Sequence, residues 1–282
     1  MTDEGRSGPT SAGAPGPSSL GSPRPSGSRS SPRFRLLETG EGSPAWNMAL
    51  DEALLEEWRA GAPPVLRLYR WRPAALSLGR FQRLVDLGEV PASVPRVRRI
   101  TGGGALHHRE DELTYSIVAP YSLFHGERRG SPKVAYHAVH EAIRLGLVSL
   151  GLALEASAGD DAPGARVSAR APLCYDLATD FDLKAAAGKL VGSAQRRKGE
   201  AFLQHGSIPV SPDPFSRGAV SLGALLGRVP SPGELAAAVR SGFERALGAR
   251  LEPGAVTPAE AALARTLERE KYDSPAWTAE KP

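Results

Sequence analysis

Arg98-Arg99-Ile100-Thr101-Gly102-Gly103-Gly104-Ala105-Leu106-His107-His108 is the densest cluster of informative residues in the chain. A strand over 96–100 runs into three consecutive glycines. A second strand follows over 113–118, where Leu113, Tyr115 and Ile117 alternate with Thr114 and Ser116 in the period of a half-buried strand. Glycine reaches positive φ without a steric penalty and lets backbone approach a ligand, so this loop can wrap a carboxylate, a phosphate or an acyl chain. A bare glycine run is by default a flexible turn. The two arginines before it and the two histidines after it are what set this one apart. No helix follows the glycines and no P-loop lysine is present, so neither common nucleotide fingerprint applies.

Working outward, strands are expected at 65–71, 189–194 and 201–210. Leu50, Leu54 and Trp58 recur at helical spacing behind Asn47, the expected N-cap. Val139, Ile143, Leu147 and Leu150 form a second apolar stripe that ends at Gly151. A Gly/Ala/Asp/Pro-rich piece over 156–172 reads as a surface loop. Beyond Pro214 the chain becomes helical, over 233–247 and 258–271. Residues 1–33 hold nine serines, six glycines and six prolines and too little apolar surface to offset ordering entropy, so a disordered tail is expected there. The folded body then runs from Phe34 to Pro282 as one domain, with a short helical extension from about residue 215. Together these elements read as a mixed α+β domain.

Composition narrows the function. With one cysteine among 282 residues, an intramolecular disulfide is impossible, and a reducing cytoplasm is the expected location. No stretch approaches the length of a membrane span. The formal charge is +4, and half of it sits in the first 33 residues, so basicity is weak support for a nucleic-acid partner. Eight arginines between Arg67 and Arg99 face only two acids. They read either as ordinary solvated strand surface or as a docking patch for an acidic partner.

Two further segments carry chemistry. Gly188-Lys189-Leu190-Val191-Gly192-Ser193-Ala194-Gln195 places a lysine ahead of a strand with an interior glycine, a mark of a bulge or of a ligand against the backbone. It continues to Gln204-His205-Gly206-Ser207, where His205 alone reads as a structural histidine. Cys174, in Pro172-Leu173-Cys174-Tyr175-Asp176, is by default a small buried hydrophobe. It becomes a nucleophile if a cation such as Lys189 lowers its thiol pKa.

Seven motifs in order resemble the lipoate/octanoate protein ligase and transferase family, which shares its fold with biotin protein ligases. They are Asn47-Met48-Ala49-Leu50-Asp51-Glu52; Leu66 to Trp71; Ser77-Leu78-Gly79 with Phe81-Gln82; Arg98-Arg99 with the glycine loop; Glu112 to Ser116; Gly188-Lys189 with Gly192 to Gln195; and Gln204 to Ser207. Lys271-Tyr272 and Trp277 extend the likeness weakly to the end. The resemblance implies a mixed sheet with flanking helices and an acyl tunnel beside the glycine loop. It also implies transfer of octanoyl or lipoyl to a lysine of lipoyl-domain proteins: glycine-cleavage H protein and the E2 subunits of 2-oxoacid dehydrogenases. On the matched motifs, Lys189 lies against the acyl carbonyl. Arg99, Gly102, Gly103, Gly104, His108, Gly192, Ser193, Gln195 and His205 bind substrate, and no metal is ligated. The family usually places aspartate after the histidine, where this chain has Arg109.

Two reactions compete under that resemblance. A ligase activates a free acid with ATP and Mg through an acyl-adenylate. A transferase takes a thioester from acyl carrier protein and needs no cofactor. Cys174 sits where cysteine-dependent octanoyltransferases carry their nucleophile, and only about 70 residues follow Val210, less than the accessory domain common in ATP-dependent members. Both favour transfer, with Lys189 lowering the thiol pKa and stabilising the oxyanion. Octanoyl amidotransfer from H protein to E2 is a further alternative, and a non-enzymatic carrier-binding scaffold is the least favoured.

Overall fold

The computed structural model describes residues 31–87, 90–124, 131–154, 183–185, 188–215 and 218–279. Cys174, the expected loop at 156–172 and the first thirty residues lie outside them. The described chain opens with β1 (Arg33–Gly42), one residue ahead of the expected start of the folded body. It continues as α1 (Pro44–Glu57), β2 (Val65–Trp71), β3 (Ala75–Leu78), β4 (Arg96–Arg98), β5 (Leu106–His108), β6 (Leu113–Pro120), α2 (Pro132–Val148), β7 (Leu183–Ala185), β8 (Gly188–Lys198) and β9 (Ala201–Ile208). The last part is α3 (Leu222–Leu226), α4 (Pro232–Leu247), β10 (Arg250–Pro253), α5 (Pro258–Leu267), a single π-helical turn and α6 (Pro275–Ala279).

Among the described residues two sheets form, one of seven strands in the order β10-β1-β2-β6-β9-β8-β7 and one of three in the order β4-β3-β5. The larger sheet is mixed: β1 pairs parallel with β2 and β10, and the remaining neighbours run antiparallel. The α+β class with flanking helices is therefore the observed one. The segment after residue 215 is not purely helical, because β10 returns to extend the sheet beside β1. β1, β3, β5, β7 and β10 had no separate sequence signal; most are three or four residues long and are defined by the strands they pair with.

Strand alternation sorts the core. Leu66, Leu68, Tyr115 and Ile117 point to one face and pack with Val139, Ile143, Val239 and Phe243 of α2 and α4. Val65, Tyr69, Trp71 and Leu203 point to the other and pack with Leu50, Leu54 and Ala264 of α1 and α5. Helix α1 begins earlier than expected. Ser43, followed by Pro44, is the N-cap and accepts from the Trp46 amide at 3.0 Å. That frees the Asn47 side chain, which donates to the carbonyls of Gly42 and Arg70. Among the described residues no helix is long and apolar enough to cross a membrane.

Helices α2 and α4 meet at glycines. A Cβ on Gly242 would stand 2.1 Å from the Ala142 carbonyl oxygen, and one on Gly146 would stand 2.5 Å from that of Ala238. Both clashes are with helix backbone, so the helices would have to separate. Gly242→Ala is expected to lower unfolding free energy by about 1–3 kcal/mol. Urea unfolding checks this, and an unchanged midpoint would show that the crossing tolerates the methyl group.

Candidate active site

Helix α1 carries Asp51 into the interior beneath the larger sheet, where it is 1% exposed. Its Oδ1 accepts from Arg67 Nη1 and Ser116 Oγ, both at 2.7 Å, and its Oδ2 accepts from Tyr69 OH and His205 Nδ1, both at 2.9 Å. The donors come from β2, β6 and β9, which alternation turns toward the same face. Arg67 is held further by the Asn47 carbonyl, Asn47 Oδ1 and Thr39 Oγ1. Burial pushes the Asp51 carboxyl up, but the Arg67 charge and the hydrogen bonds from His205 and Ser116 outweigh it, and the net shift is downward. Burial, then the Asp51 charge, push the Tyr69 phenol well above its ordinary value, so it stays protonated and donates.

A second carboxylate closes the other side. His108 Nδ1 donates to Glu112 Oε1 at 2.6 Å, and Thr114 Oγ1 donates to the same oxygen at 3.0 Å. The His108 ring stacks on Trp71 at 3.8 Å between centroids and 11° between planes. Burial drives the His108 pKa down, outweighing the upward pull of Glu112, with Arg99 and His205 acting in the same direction as burial. The ring is therefore neutral at pH 7, and its Nε2 accepts from Ser77 Oγ at 2.8 Å.

Arg99 joins the two halves. Nη1 donates to the carbonyl and hydroxyl of Ser77, Nε donates to Thr101 Oγ1, and Nη2 donates to the carbonyls of Gly102 and Gly104 at 2.7 Å each. Thr101 Oγ1 lies 2.7 Å from His205 Nε2. Two arms result, Arg99–Ser77–His108–Glu112 and Arg99–Thr101–His205–Asp51. Along each arm a guanidinium donates to a hydroxyl, the hydroxyl to an imidazole, and the imidazole to a carboxylate. Both nitrogens of each histidine are engaged, so these rings hold geometry and neither is placed as a free base.

Between the sheets this network leaves a partly open pocket, about 350 Å³ of space when the open solvent at its mouth is counted. Met48, Tyr69, Trp71, Leu106 and Ala194 supply most of its apolar wall. Arg99, His108, Gly192, Ser193 and His205, each expected from sequence, also line it. Because the polar atoms of Arg99, His108 and His205 are bonded to one another through Ser77 and Thr101, the pocket faces a ligand as a mainly apolar slot suited to an alkyl chain.

The glycine loop frames the slot without lining it. Gly102 and Gly104 offer their carbonyls to Arg99, and Gly103 takes φ +89°. A Cβ on Gly79 would stand 1.8 Å from the Gly103 carbonyl oxygen, which explains a glycine at the end of Ser77-Leu78-Gly79. Lys189 is 3% exposed, three residues before Gly192 on β8. Gln195 lies outside the lining: it accepts from Tyr121 OH and donates to Gln204. Arg109 turns to Asp111, and Glu112 supplies the carboxylate to the histidine.

Two sequence expectations need correction. The arginine-dense stretch is not one solvated face: Arg67, Arg98 and Arg99 are buried, and Arg70 and Arg72 pair with Glu41. Arg98 Nη1 and Nη2 donate to the carbonyls of Gly79, Gln82 and Thr278, fastening α6 to the small sheet. Asp51, Ser77, Thr101 and Glu112, which had no assigned role, are the framework of the pocket. Their visible signal was their place inside or beside the quoted motifs, and for Asp51 also its helical spacing from Asn47, which sets both on one face.

This slot between two sheets belongs to a recognisable class. The family model described as the lipoyl protein ligase A/B catalytic domain matches residues 43–233. "Octanoyltransferase LipM" of Kyrpidia tusciae is 37% identical over 275 residues, covering 88% of this chain and 99% of the relative. Relatives of the same name from Moorella thermoacetica and Bacillus subtilis are 35% and 33% identical, each over 86% of this chain and 97% of its own. The chain belongs to the lipoyl protein ligase A/B catalytic domain family. Among solved structures, lipoate-protein ligase A bound with ATP superposes with a TM-score of 0.68 at 25% identity, over 88% of this chain and 98% of that one. A bi-partite lipoate protein ligase of Thermoplasma acidophilum, studied with its E2 lipoyl domain, shares the fold with a TM-score of 0.66 at 22% identity, over 88% and 96%.

Two outcomes follow from this geometry. Asp51→Asn leaves Arg67 buried without its counter-charge and is expected to cost about 3–5 kcal/mol in denaturant unfolding. The His108 pKa is depressed in the fold, so its contribution to stability is complete above the unfolded value of about 6.5 and is lost as pH falls from there toward the folded value. The urea midpoint should therefore decline below about pH 6.5, and His108→Gln should flatten that segment; equal slopes in both proteins would contradict the assignment.

Proposed function

We infer that this chain is an octanoyltransferase that attaches octanoyl groups to the acceptor lysine of lipoyl-domain proteins. The observation that carries the reading is the slot itself: a narrow, apolar-faced pocket in a chain whose relatives along almost their whole length are named octanoyltransferases. The slot suits a linear saturated chain, and the stacked His108 and Trp71 rings give it one flat wall.

Acyl carrier protein is the donor in this reading, and the reaction proceeds through Cys174. The Cys174 thiolate attacks the thioester carbonyl, the carrier thiolate leaves, and an octanoyl-cysteine remains. The acceptor amine then attacks that carbonyl, the C–S bond breaks as the amide forms, and the departing Cys174 sulfur takes up the proton that the amine sheds. Thioester and amide exchange needs no nucleotide, because the activation is already present in the donor. Lys189 contributes a positive charge close to the reacting carbonyl, which favours both the thiolate and the developing oxyanion.

Incubation with octanoyl-carrier protein and apo H protein, without ATP, tests this. The wild type should give octanoylated H protein and an octanoyl adduct by intact-mass measurement; Cys174→Ala should give neither. Lys189→Ala should lower kcat by about 10²-fold or more. Product that appears only with free acid, ATP and Mg, together with full activity in Cys174→Ala, would sink the transferase reading. Product formed only from octanoyl-H protein and an E2 domain would identify amidotransfer.

Gly79→Ala probes the same slot without touching the reacting groups. Its methyl must displace the Gly103 carbonyl, and a shift of about 1 Å at a reacting site costs about 10²-fold in rate. The fold should persist by circular dichroism while acyl-enzyme formation slows.

A further inference from the structure

Lys189 stands beyond the end of its sheet neighbour. β9 pairs with β8 from Gly192 onward and ends at Ile208, three residues short of the lysine. On the other side β7 pairs with a register shift between Leu183 and Lys184. The neighbour that β9 no longer supplies comes from residues 219 and 220. Ala219 forms an isolated parallel bridge with Lys189, and the Val220 amide donates to the Lys189 carbonyl at 2.9 Å. Gly188 is pressed against the same segment. At its φ of +144°, a Cβ would stand 2.9 Å from Val220 Cγ2 and 3.1 Å from the Gly218 carbonyl oxygen.

Those residues belong to a loop that leaves β9 and returns to its end. The base of the loop is closed, because the amides of Leu222 and Gly223 donate to the carbonyls of Pro209 and Val210 at 2.9 Å each. Its outgoing limb is fastened to the small sheet. His107 Nδ1 donates to Asp213 Oδ1 at 2.9 Å, and the same oxygen accepts from the Phe215 amide at 3.1 Å. Both side chains of the pair are buried. The Phe215 ring meets His107 edge-on at 4.9 Å and packs on the cluster of Leu76, Leu78, Leu87, Val90 and Ala105. Three peptide steps separate Phe215 from Gly218, a span of at most about 11 Å. The loop therefore ties β5, whose Leu106 and His108 line the slot, to the backbone of Lys189.

We propose that His107 and Asp213 are positioning residues for Lys189, setting its ammonium group relative to the acyl carbonyl through this loop. The inference rests on the acyltransfer reading above, which gives Lys189 its role. The slot wall does not depend on the pair. β5 pairs with β3 along its whole length, and His108 is held by Ser77, Glu112 and the Trp71 ring. The loop does depend on it: without Asp213 Oδ1 the Phe215 amide loses its acceptor and the limb loses its tie to β5. Lysine carries its charge on a flexible four-carbon stem, so a loosened backbone would spread that charge further.

The test uses the full chain with octanoyl-carrier protein and apo H protein. Asp213→Ala removes the shared acceptor, and His107→Phe keeps a ring against Phe215 while removing the donor. Each should lower kcat by about 10- to 100-fold and leave donor KM unchanged. Asp213→Asn keeps an acceptor oxygen and should stay within about twofold of wild type. Hydrogen exchange over residues 218–223, read by mass spectrometry, should quicken about tenfold in Asp213→Ala and His107→Phe but not in Asp213→Asn, while α4 keeps its protection. That readout needs no acyl transfer. A wild type that transfers nothing sinks the acyltransfer reading, and exchange still decides whether the pair fixes the Lys189 backbone. Unchanged exchange over 218–223 in both variants overturns the proposal, as does faster exchange with full kcat. A loss carried by donor KM alone would place the pair in the slot wall and overturn it. Faster exchange that spreads through α4 in both variants would make the pair a general structural tie and overturn it equally.

Discussion

The carboxylate of Asp51 accepts four hydrogen bonds from three strands while riding on a helix that crosses beneath them. A buried carboxylate left alone would be severely destabilising, and even a paired one is not in itself a large source of stability. What the arrangement supplies is position. Only one placement of α1 satisfies Arg67, Tyr69, Ser116 and His205 together, so the helix cannot slide along the sheet without leaving a buried donor or charge unpaired. That fixes Met48 at the slot and, one and two turns further along, sets Glu52 against Lys271 and Tyr272 and Glu56 against Lys198.

From that anchor the rest of the polar interior follows in sequence. His205 passes the constraint to Thr101, Thr101 to Arg99, and Arg99 to the glycine loop and to Ser77 and His108. Every link is a donor meeting an acceptor inside a water-poor interior, where an unsatisfied partner is costly. The result is an apolar-faced slot whose walls contain charged and polar residue types yet present few unsatisfied polar atoms to its interior. A purely apolar lining would bind an alkyl chain as well, but it would not hold a run of three glycines in one conformation. The carbonyls of Gly102 and Gly104, taken by Arg99, do so.

The family relationship and the geometry speak to different questions. Membership follows from the length of the match, which spans most of the folded chain. The geometry explains why motifs scattered across more than 150 residues travel together, since Asp51 and His205 are 154 positions apart and share one hydrogen bond. It also explains the C-terminal Lys271-Tyr272 and Trp277. Tyr272 donates to Glu52 at 2.6 Å and Trp277 to the Arg98 carbonyl, so the end of the chain is fastened to α1 and β4 rather than an appendage.

Much of this was legible in the residues alone. The β2 and β6 strands and the stripes of α1 and α2 came from periodicity, because that signal is local, whereas the weight given to Lys189 and His205 came from the family resemblance. The N-cap of α1 was misplaced: Asn47 has capping chemistry, but Ser43-Pro44 lies earlier and Asn47 is drawn to Arg67 and the β2 backbone. The arginines were misread for a related reason. Alternation states which residues share a face, but not whether a helix or a second sheet will cover it. By itself the sequence determined the longer strands and helices and the family. Only the tertiary structure decided that Arg67, Arg98 and Arg99 are buried structural cations while Arg196 stays in solvent, because burial is set by contacts between segments far apart in the chain.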